Sequence, residues 1–307
     1  MRSITDTSIP SQVIQDLEWT LTSPGLIATP EPVDNTADSL TAETLNPYHA
    51  ELCSFLELQN SHRNDHRVGR YFEQLVLFYL QRIRRVDMVA SGLQIHEQGR
   101  TIGELDFVFR DESGQLQHWE TAVKFYLCFP GSAEPGQNLI GPDPRDNFSS
   151  KFNRLFNHQL PLSEKRFSEI AARHAFVKGQ IFYHPELSPP PSPCSQLCAN
   201  HLRGVWLFCH ELNWLHRLTE MHGDVTAQVM EKPYWLSPRF VPDSPEPCPS
   251  QPPLTVRGIQ DTLHRHFQKS SRPRLISLLA RNTGQWYEVE RVFVVSESWP
   301  NVSPVHT

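Results

Sequence analysis

The sequence lacks any long apolar run. No stretch approaches the roughly 18 consecutive apolar residues that a transmembrane helix needs. Residues 1–12 contain no apolar signal segment. We therefore expect a cytoplasmic protein without a membrane partner, in which the six cysteines are reduced thiols.

Two common catalytic motifs are absent as well. The chain has neither a glycine-rich loop of the kind that cradles phosphates nor a serine-hydrolase elbow. Its net charge of −6 argues against a surface that is basic throughout. Residues 1–60 carry nine acids and one base, a charge of −8, so the remaining 247 residues sum to +2. A nucleic-acid surface in that part would have to be local.

Composition divides the chain into three regions. Residues 1–60 form an acidic segment with short helices, in which residues 13–21 should dock on the core and residues 28–42 form a linker. Residues 61–185 form the core. Residues 186–307 form an α+β extension, which contains proline-rich loops and packs on the core.

Hydrophobic periodicity predicts the elements of the core. Residues 68–84 repeat apolar positions at helical spacing, and Glu73 lies inside this apolar run. Alternating apolar residues and turn signals then predict three strands. In chain order the predicted core comprises helix 68–84, strands 93–97, 101–110 and 116–128, helices 148–159 and 164–173, and strand 175–183. The extension is predicted to contain strand 204–209, helix 256–268 and a final hairpin turning at 282–284.

Charged residues lie on the second and third predicted strands. Because side chains alternate along a strand, Glu104 and Asp106 share a face of the second, and Glu120 and Lys124 share a face of the third. If these strands pair, one face of the sheet gathers Asp106, Glu120 and Lys124. Glu73 can reach the same place from the preceding helix.

This set of residue types suits phosphodiester hydrolysis. Carboxylates hold divalent ions such as Mg²⁺ or Mn²⁺, which prefer oxygen ligands. The ion activates water and neutralises charge on the phosphate, and a nearby lysine orients the water or offsets negative charge. The competing interpretations are a solvated strand face and a structural ion pair of Lys124 with Glu120 or Glu73.

At these residues the chain resembles the PD-(D/E)XK nuclease-like superfamily, and within it an uncharacterised bacterial family. The resemblance implies a restriction-endonuclease-like α/β core, with a mixed sheet flanked by helices. Glu73 matches the glutamate that the helix of this superfamily commonly carries. Asp106, in the segment GELD, matches the metal-binding aspartate of the second strand, and Lys124 matches the lysine of the acid-x-Lys motif on the third. Ala122 stands where the acid is expected, and Glu120 lies about 6 to 7 Å further back on the same face.

The resemblance implies a Mg²⁺- or Mn²⁺-dependent nuclease, with DNA favoured over RNA as partner. Asp106, Glu120 and Glu73 would be metal ligands, Glu104 an auxiliary acid, and Lys124 the residue that positions water. Candidate phosphate contacts are Lys151, Arg154, His158 and Lys178. The alternative is an inactive nuclease fold that binds nucleic acid or protein, because Ala122 replaces the expected acid.

Three further residues present a weaker metal pattern. Cys194, Cys198 and His201 are close in sequence, but their spacing departs from the usual tetrahedral zinc motifs. Whether they bind a metal stays open at this point.

Overall fold

The structure is a computed structural model that describes residues 11–29, 39–60, 67–130, 136–186, 194–223, 225–242, 253–282 and 285–300. Residues 30–38 of the predicted linker and residues 283–284 of the predicted final turn lie outside these ranges. None of the described helices is long and apolar enough to cross a membrane.

The protein is a mixed α/β structure built on one sheet. The helices are α1 (Gln12–Thr22), α2 (Ala42–Leu45), α3 (His49–Asn60), α4 (Val68–Phe78), α5 (Phe148–Arg154), α6 (Leu160–Leu162), α7 (Trp214–His222) and α8 (Val256–Phe267). The strands are β1 (Asp87–Glu97), β2 (Arg100–Arg110), β3 (Leu116–Cys128), β4 (Leu139–Ile140), β5 (Ile170–Tyr183), β6 (Leu202–Phe208), β7 (Val225–Val229), β8 (Phe240–Pro242), β9 (Leu254–Thr255), β10 (Arg274–Asn282) and β11 (Gln285–Val295).

The sheet runs continuously from the predicted core into the C-terminal extension. Its described order is β1-β2-β3-β5-β6-β11-β10-β7-β9, and β4 and β8 pair with β3 and β11. The central pairs β3/β5, β5/β6 and β6/β11 are parallel, whereas the flanking pairs are antiparallel. The extension therefore adds strands to the core sheet through β6 and β11.

Helices cover both faces of the central strands. On one face Phe72 of α4 stacks on Phe176 at a centroid distance of 6.1 Å, and Phe176 stacks on Trp119 at 5.2 Å. On the other face Phe148 of α5 meets the Tyr126 ring edge-on at 5.8 Å. Both helices continue as π-helical turns, Tyr79–Ile83 and Leu155–Gln159. The sheet is thus fixed between two aromatic layers.

Helix α1 docks on the core as its apolar residues predict. Ile14 and Leu17 are fully buried. Asp16 is also buried, and its carboxylate accepts hydrogen bonds from the Ser237 backbone N–H at 3.0 Å and from the Tyr71 hydroxyl at 3.0 Å. Because Ser237 belongs to the extension and Tyr71 to α4, this one acid ties three regions of the chain together.

The predicted helix at residues 164–173 is wrong. The chain leaves α6 through a short 3-10 turn, Ser163–Lys165, and β5 begins at Ile170. Parallel pairing with β3 accounts for the difference, because it runs from Ile170 opposite Leu116 to Tyr183 opposite Cys128. That ladder satisfies the backbone hydrogen bonds of the whole strand, which outweighs a local helical preference. The elements α7 and β7 were not predicted.

A glycine in β5 permits the close approach of β3 that sets the position of Lys124. Gly179 is paired with Lys124 and has a φ of +152°. A Cβ at position 179 would lie 1.8 Å from the Lys124 carbonyl oxygen. We expect Gly179→Ala to lower the free energy of unfolding by about 1–3 kcal/mol or more, because two backbones must separate. Urea denaturation measures this change.

Gly69 in α4 provides the matched control. A Cβ there meets no atom within 4 Å, so Gly69→Ala should raise the free energy of unfolding by up to about 1 kcal/mol. If Gly179→Ala unfolds at the wild-type urea concentration, the close approach of β3 and β5 at Lys124 is not required.

Candidate functional site

The site forms where strands β2 and β3 separate. They pair from Arg110 opposite Leu116 to Phe107 opposite Trp119. Beyond that point β2 remains paired with β1, whereas β3 remains paired with β5. We call this place the fork. Asp106 is the first residue of β2 beyond the last pair, and Glu120 is its counterpart on β3.

The fork brings the two predicted acids, Asp106 and Glu120, together. The Asp106 backbone N–H donates to Glu120 Oε1 at 3.4 Å. Asp106 Oδ2 accepts hydrogen bonds from the Thr121 backbone N–H at 2.7 Å and from Thr121 Oγ1 at 3.2 Å. The alternation of side chains explains this geometry, because Asp106 precedes Phe107 and Glu120 follows Trp119, the last residue pair, so that both acids lie on the same face of the sheet.

Burial and like charges raise the pKa of Asp106 to about 7. Burial is the largest cause, and the charges of Glu120 and Glu73 add to it, whereas the hydrogen bonds from Thr121 oppose it. An ionised Asp106 is therefore unfavourable in this place unless a cation joins it. A raised carboxyl pKa of this origin is typical of functional sites.

Glu120 is held on both oxygens. Its side chain is 1% exposed. His118 Nε2 lies 2.9 Å from Oε1, and Gln159 Nε2 donates to Oε2 at 2.7 Å. Gln159 Oε1 in turn accepts a hydrogen bond from Lys151 Nζ at 3.0 Å. Sequence reasoning missed His118 and Gln159, although His118 lies on the Glu120 face, two residues earlier along β3.

Glu73 and Glu104 surround the fork without contacting Asp106 directly in any observed hydrogen bond. Glu73 lies on α4 and forms an ion pair with Arg70 at 3.7 Å. Burial raises the pKa of Glu73; Arg70 opposes this, and the charges of Glu104 and Glu120 add to it. Glu73 thus lies within electrostatic reach of Glu104 and of Glu120, and Glu104 itself is exposed.

Lys124 has a partner that the sequence did not indicate. Its Nζ lies 2.5 Å from Asp146 Oδ2, and the Tyr126 hydroxyl donates to Asp146 Oδ1 at 3.5 Å. The ion pair expected in the structural alternative, with Glu120 or Glu73, is not formed by Lys124. The N-cap of α5 is the neighbouring residue Asn147, whose side chain accepts a hydrogen bond from the Ser150 N–H at 2.8 Å.

The four predicted phosphate contacts differ in position. Arg154 and His158 are exposed on α5 and its π-helical turn. Lys151 is half-buried against Gln159, and burial together with the charge of Lys124 lowers its pKa. Lys178 is buried, and its ammonium donates to the carbonyl oxygens of residues 21 and 23. Lys178 is therefore not placed to contact phosphate, because the docking of α1 covers it.

The cysteine–histidine pattern is engaged in hydrogen bonds. His201 Nε2 lies 2.8 Å from the Tyr183 hydroxyl, and Nδ1 lies 2.6 Å from the Cys198 carbonyl oxygen. The Cys198 thiol donates to Asn200 at 2.8 Å. Across the part of the chain that the structure describes, no group of three or more His, Cys, Asp or Glu residues is arranged to hold a metal ion.

The oxygen donors at the fork suit a hard cation whose remaining coordination positions are filled by water and substrate. Mg²⁺ binds proteins through one or two carboxylates and completes its shell with water and substrate phosphate. Asp106 and Glu120 supply two carboxylates, and the raised pKa of Asp106 reflects first its burial and then the neighbouring negative charges, which a cation would offset. A closed cage made of protein ligands alone does not fit this site.

Replacing Asp106 should stabilise the protein at alkaline pH. Since its pKa is raised from 3.8 to about 7, the folded state loses stability as pH rises through that interval. Asp106→Asn cannot ionise, and its amide oxygen can still accept from Thr121. We expect the variant to exceed the wild type by about 1–3 kcal/mol above about pH 7, with a smaller difference near pH 5. Urea denaturation at both pH values measures it.

Replacing Asp111 is a control for which the expected change in stability has the opposite sign. Although burial acts to raise its pKa, hydrogen bonds from Ser113, Gln115 and Gln117 hold the pKa of Asp111 below its ordinary value. Asp111→Asn should therefore destabilise the protein at alkaline pH. Equal destabilisation by both substitutions would contradict the electrostatic description of the fork.

Comparison with known proteins places the chain in a protein family. A family model described as a domain of unknown function (DUF1853) matches residues 15–295. No curated protein and no solved structure matches the chain.

Proposed function

The chain belongs to the DUF1853 family, and from the geometry of the fork we propose that it hydrolyses phosphodiester bonds in nucleic acid with a divalent metal ion. DNA is the favoured substrate. The observation that carries this proposal is the placement of two acids at the fork: the Asp106 backbone N–H donates to Glu120 Oε1 at 3.4 Å, and burial together with the charge of Glu120 raises the pKa of Asp106 to about 7.

The order of elements supports a PD-(D/E)XK-like core. The chain passes through α4, β1, β2, β3, α5 and β5 in the order that this core requires. Asp106 lies on the second strand and Lys124 on the third, and α4 carries Glu73. The acid missing at Ala122 has a substitute in Glu120, which reaches the fork because β2 and β3 separate beside it.

Each residue of the fork has a distinct role in the proposed reaction. Asp106 and Glu120 would hold Mg²⁺ or Mn²⁺, with Glu73 as a third acid from α4. When bound, such an ion lowers the pKa of a water molecule and neutralises charge on the phosphate. Gln159 orients the Glu120 carboxylate through its 2.7 Å hydrogen bond.

Lys124 acts beside these acids as a positioned cation. Asp146 fixes its ammonium at 2.5 Å, and Tyr126 supports Asp146 from the same face of β3. An ammonium held in this way can orient the attacking water and offset charge that builds on the phosphate oxygens. Asp146 is thus a positioning residue for Lys124.

A second candidate function is nucleic-acid binding without hydrolysis. Two observations favour it: Glu120 already has partners on both oxygens, and the described residues contain no three-ligand metal group. Under this alternative, the fork would bind no divalent ion through Asp106.

Cleavage assays separate the two functions. Purified protein should cut DNA in the presence of Mg²⁺, and Asp106→Ala and Lys124→Ala should each reduce the rate about 100-fold or more. Lys165→Ala is the matched control, because Lys165 forms an exposed ion pair with Glu97 at 2.8 Å, and the variant should cleave at the wild-type rate. Cleavage that persists unchanged in both fork variants would refute the assignment.

Metal binding should depend on pH through Asp106. Because Asp106 must lose its proton to bind a cation, Mn²⁺ affinity should rise as pH increases through about 7. Isothermal calorimetry on the wild type and on Asp106→Asn measures this dependence without any turnover. If Mn²⁺ binds Asp106→Asn with wild-type affinity and pH profile, the fork is not the metal site.

A further inference from the structure

A cleft of about 920 Å³ opens beside the Lys124–Asp146 pair. Four parts of the chain form its walls: the start of α4, residues 123–125 of β3, the loop that precedes α5, and the C-terminal extension. From the extension come residues 230–232 and 271–274, and Trp235 and Trp299. The cleft therefore connects Lys124 with a part of the chain that has no role in the hydrolysis proposed above, whereas Asp106 and Glu120 lie outside its lining.

The described lining of the cleft carries an excess of positive charge. It contains five cations and three acids: Arg67, Lys124, Lys232, Arg272 and Arg274, and Asp143, Asp146 and Glu231. Asp146 is paired with Lys124, and Asp143 is paired with Arg145 at 2.7 Å. Within this lining, Glu231 is the remaining acid beside Lys232, Arg272 and Arg274, while Arg67 lies within electrostatic reach of Glu73 on α4. In a chain with a net charge of −6, this is a local positive surface.

The extension holds its cations in defined positions. His266 Nε2 lies 2.8 Å from the Arg272 carbonyl oxygen, and Arg274 Nε donates to His266 Nδ1 at 3.4 Å. The Lys232 ammonium lies 4.7 Å from the centroid of the Trp235 ring. Within the described ranges, these three cations form no ion pair with a carboxylate. The side chains of Arg274 and Lys232 are thus positioned in advance for an anionic ligand, and the contact with His266 holds Arg272 through its backbone.

We propose that this cleft binds the phosphate backbone of a nucleic-acid strand whose neighbouring phosphate lies at the fork. Arg272, Arg274 and Lys232 contact phosphates from the side of the extension, and Arg67 does so from the start of α4. This inference rests on the proposed function, and it assigns the extension the task of holding the substrate.

The chemistry of the cleft favours backbone contacts over base recognition. The three aromatic residues in its wall, Phe125, Trp235 and Trp299, are 8%, 8% and 3% exposed, so their rings offer no open face for stacking. Arginine and lysine contacts to phosphate give affinity that is independent of sequence and strongly dependent on salt. The cations come from three separate segments of the chain, at residue 67, at residue 232 and at residues 272–274, which suits a ligand with several phosphates better than a mononucleotide.

Fluorescence anisotropy with an end-labelled DNA, single-stranded and duplex, tests the cleft. The measurement uses Asp106→Asn protein in EDTA, so that binding is observed without cleavage. The pair Arg272→Gln/Arg274→Gln should flatten the slope of log K against log salt by about 1.4 for single strands or 1.8 for duplex DNA. We expect the same flattening of the salt slope for the double variant Arg67→Gln/Lys232→Gln, which removes two cations from other parts of the wall.

The matched control removes two charges nearby. Arg265 and Lys269 are exposed close to Arg272 in sequence but do not line the cleft. Arg265→Gln/Lys269→Gln should leave the salt slope at the Asp106→Asn value. Equal effects of control and cleft variants would overturn the proposal, as would displacement of the DNA by a deoxynucleoside monophosphate at matched phosphate concentration.

Failure of this inference can be told from failure of the proposed function. If Asp106→Ala abolishes cleavage while the cleft variants bind DNA with an unchanged salt slope, the hydrolase stands and the cleft assignment is overturned. If the cleft variants flatten the slope in a protein that cleaves no DNA, the cleft assignment is supported and hydrolysis is overturned.

Discussion

The contact between Asp106 and Glu120 at the fork is the constraint on which the site depends. The carboxylate of Glu120 is buried and that of Asp106 is half-buried beside it, which costs free energy when both are ionised. The protein offsets part of this cost with hydrogen bonds from Thr121 to Asp106 and from Gln159 to Glu120. It supplies no direct cationic partner to Asp106 in any observed ion pair. Negative charge that is left uncompensated in this way is typical of functional sites, and it would attract a cation.

The rest of the fold maintains this arrangement. The aromatic layer of Phe72, Phe176 and Trp119 places α4, and with it Glu73, against the sheet. The packing of α5 on the other face brings Gln159 to Glu120. The C-terminal extension continues the sheet and adds the basic wall of the cleft. The apolar packing around the fork thus offsets the free-energy cost of placing the two acids close together.

Features that depend on local pattern were predictable from the sequence. Helix α4 and strand β3 follow from periodicity, and the approach of Asp106 to Glu120 follows from alternation along two paired strands. The Lys124–Asp146 pair was not predictable, because Asp146 lies in a loop whose position depends on how α5 packs. The position of Lys178 was not predictable for the same reason. In the sequence it looks like an exposed lysine on a strand, but the docking of α1, which is distant in the chain, buries it. The helix predicted at residues 164–173 was wrong because pairing with β3, which is distant in the sequence, determines the conformation of this segment.

The pKa of the Asp106 carboxyl group, measured by carbon-13 NMR with and without Mg²⁺, tests the central claim most directly. The account predicts a pKa near 7 in the metal-free protein and a marked decrease when Mg²⁺ is added, because the cation removes the cost of the charged form. A pKa close to the ordinary value of 3.8, or one that Mg²⁺ leaves unchanged, would contradict it.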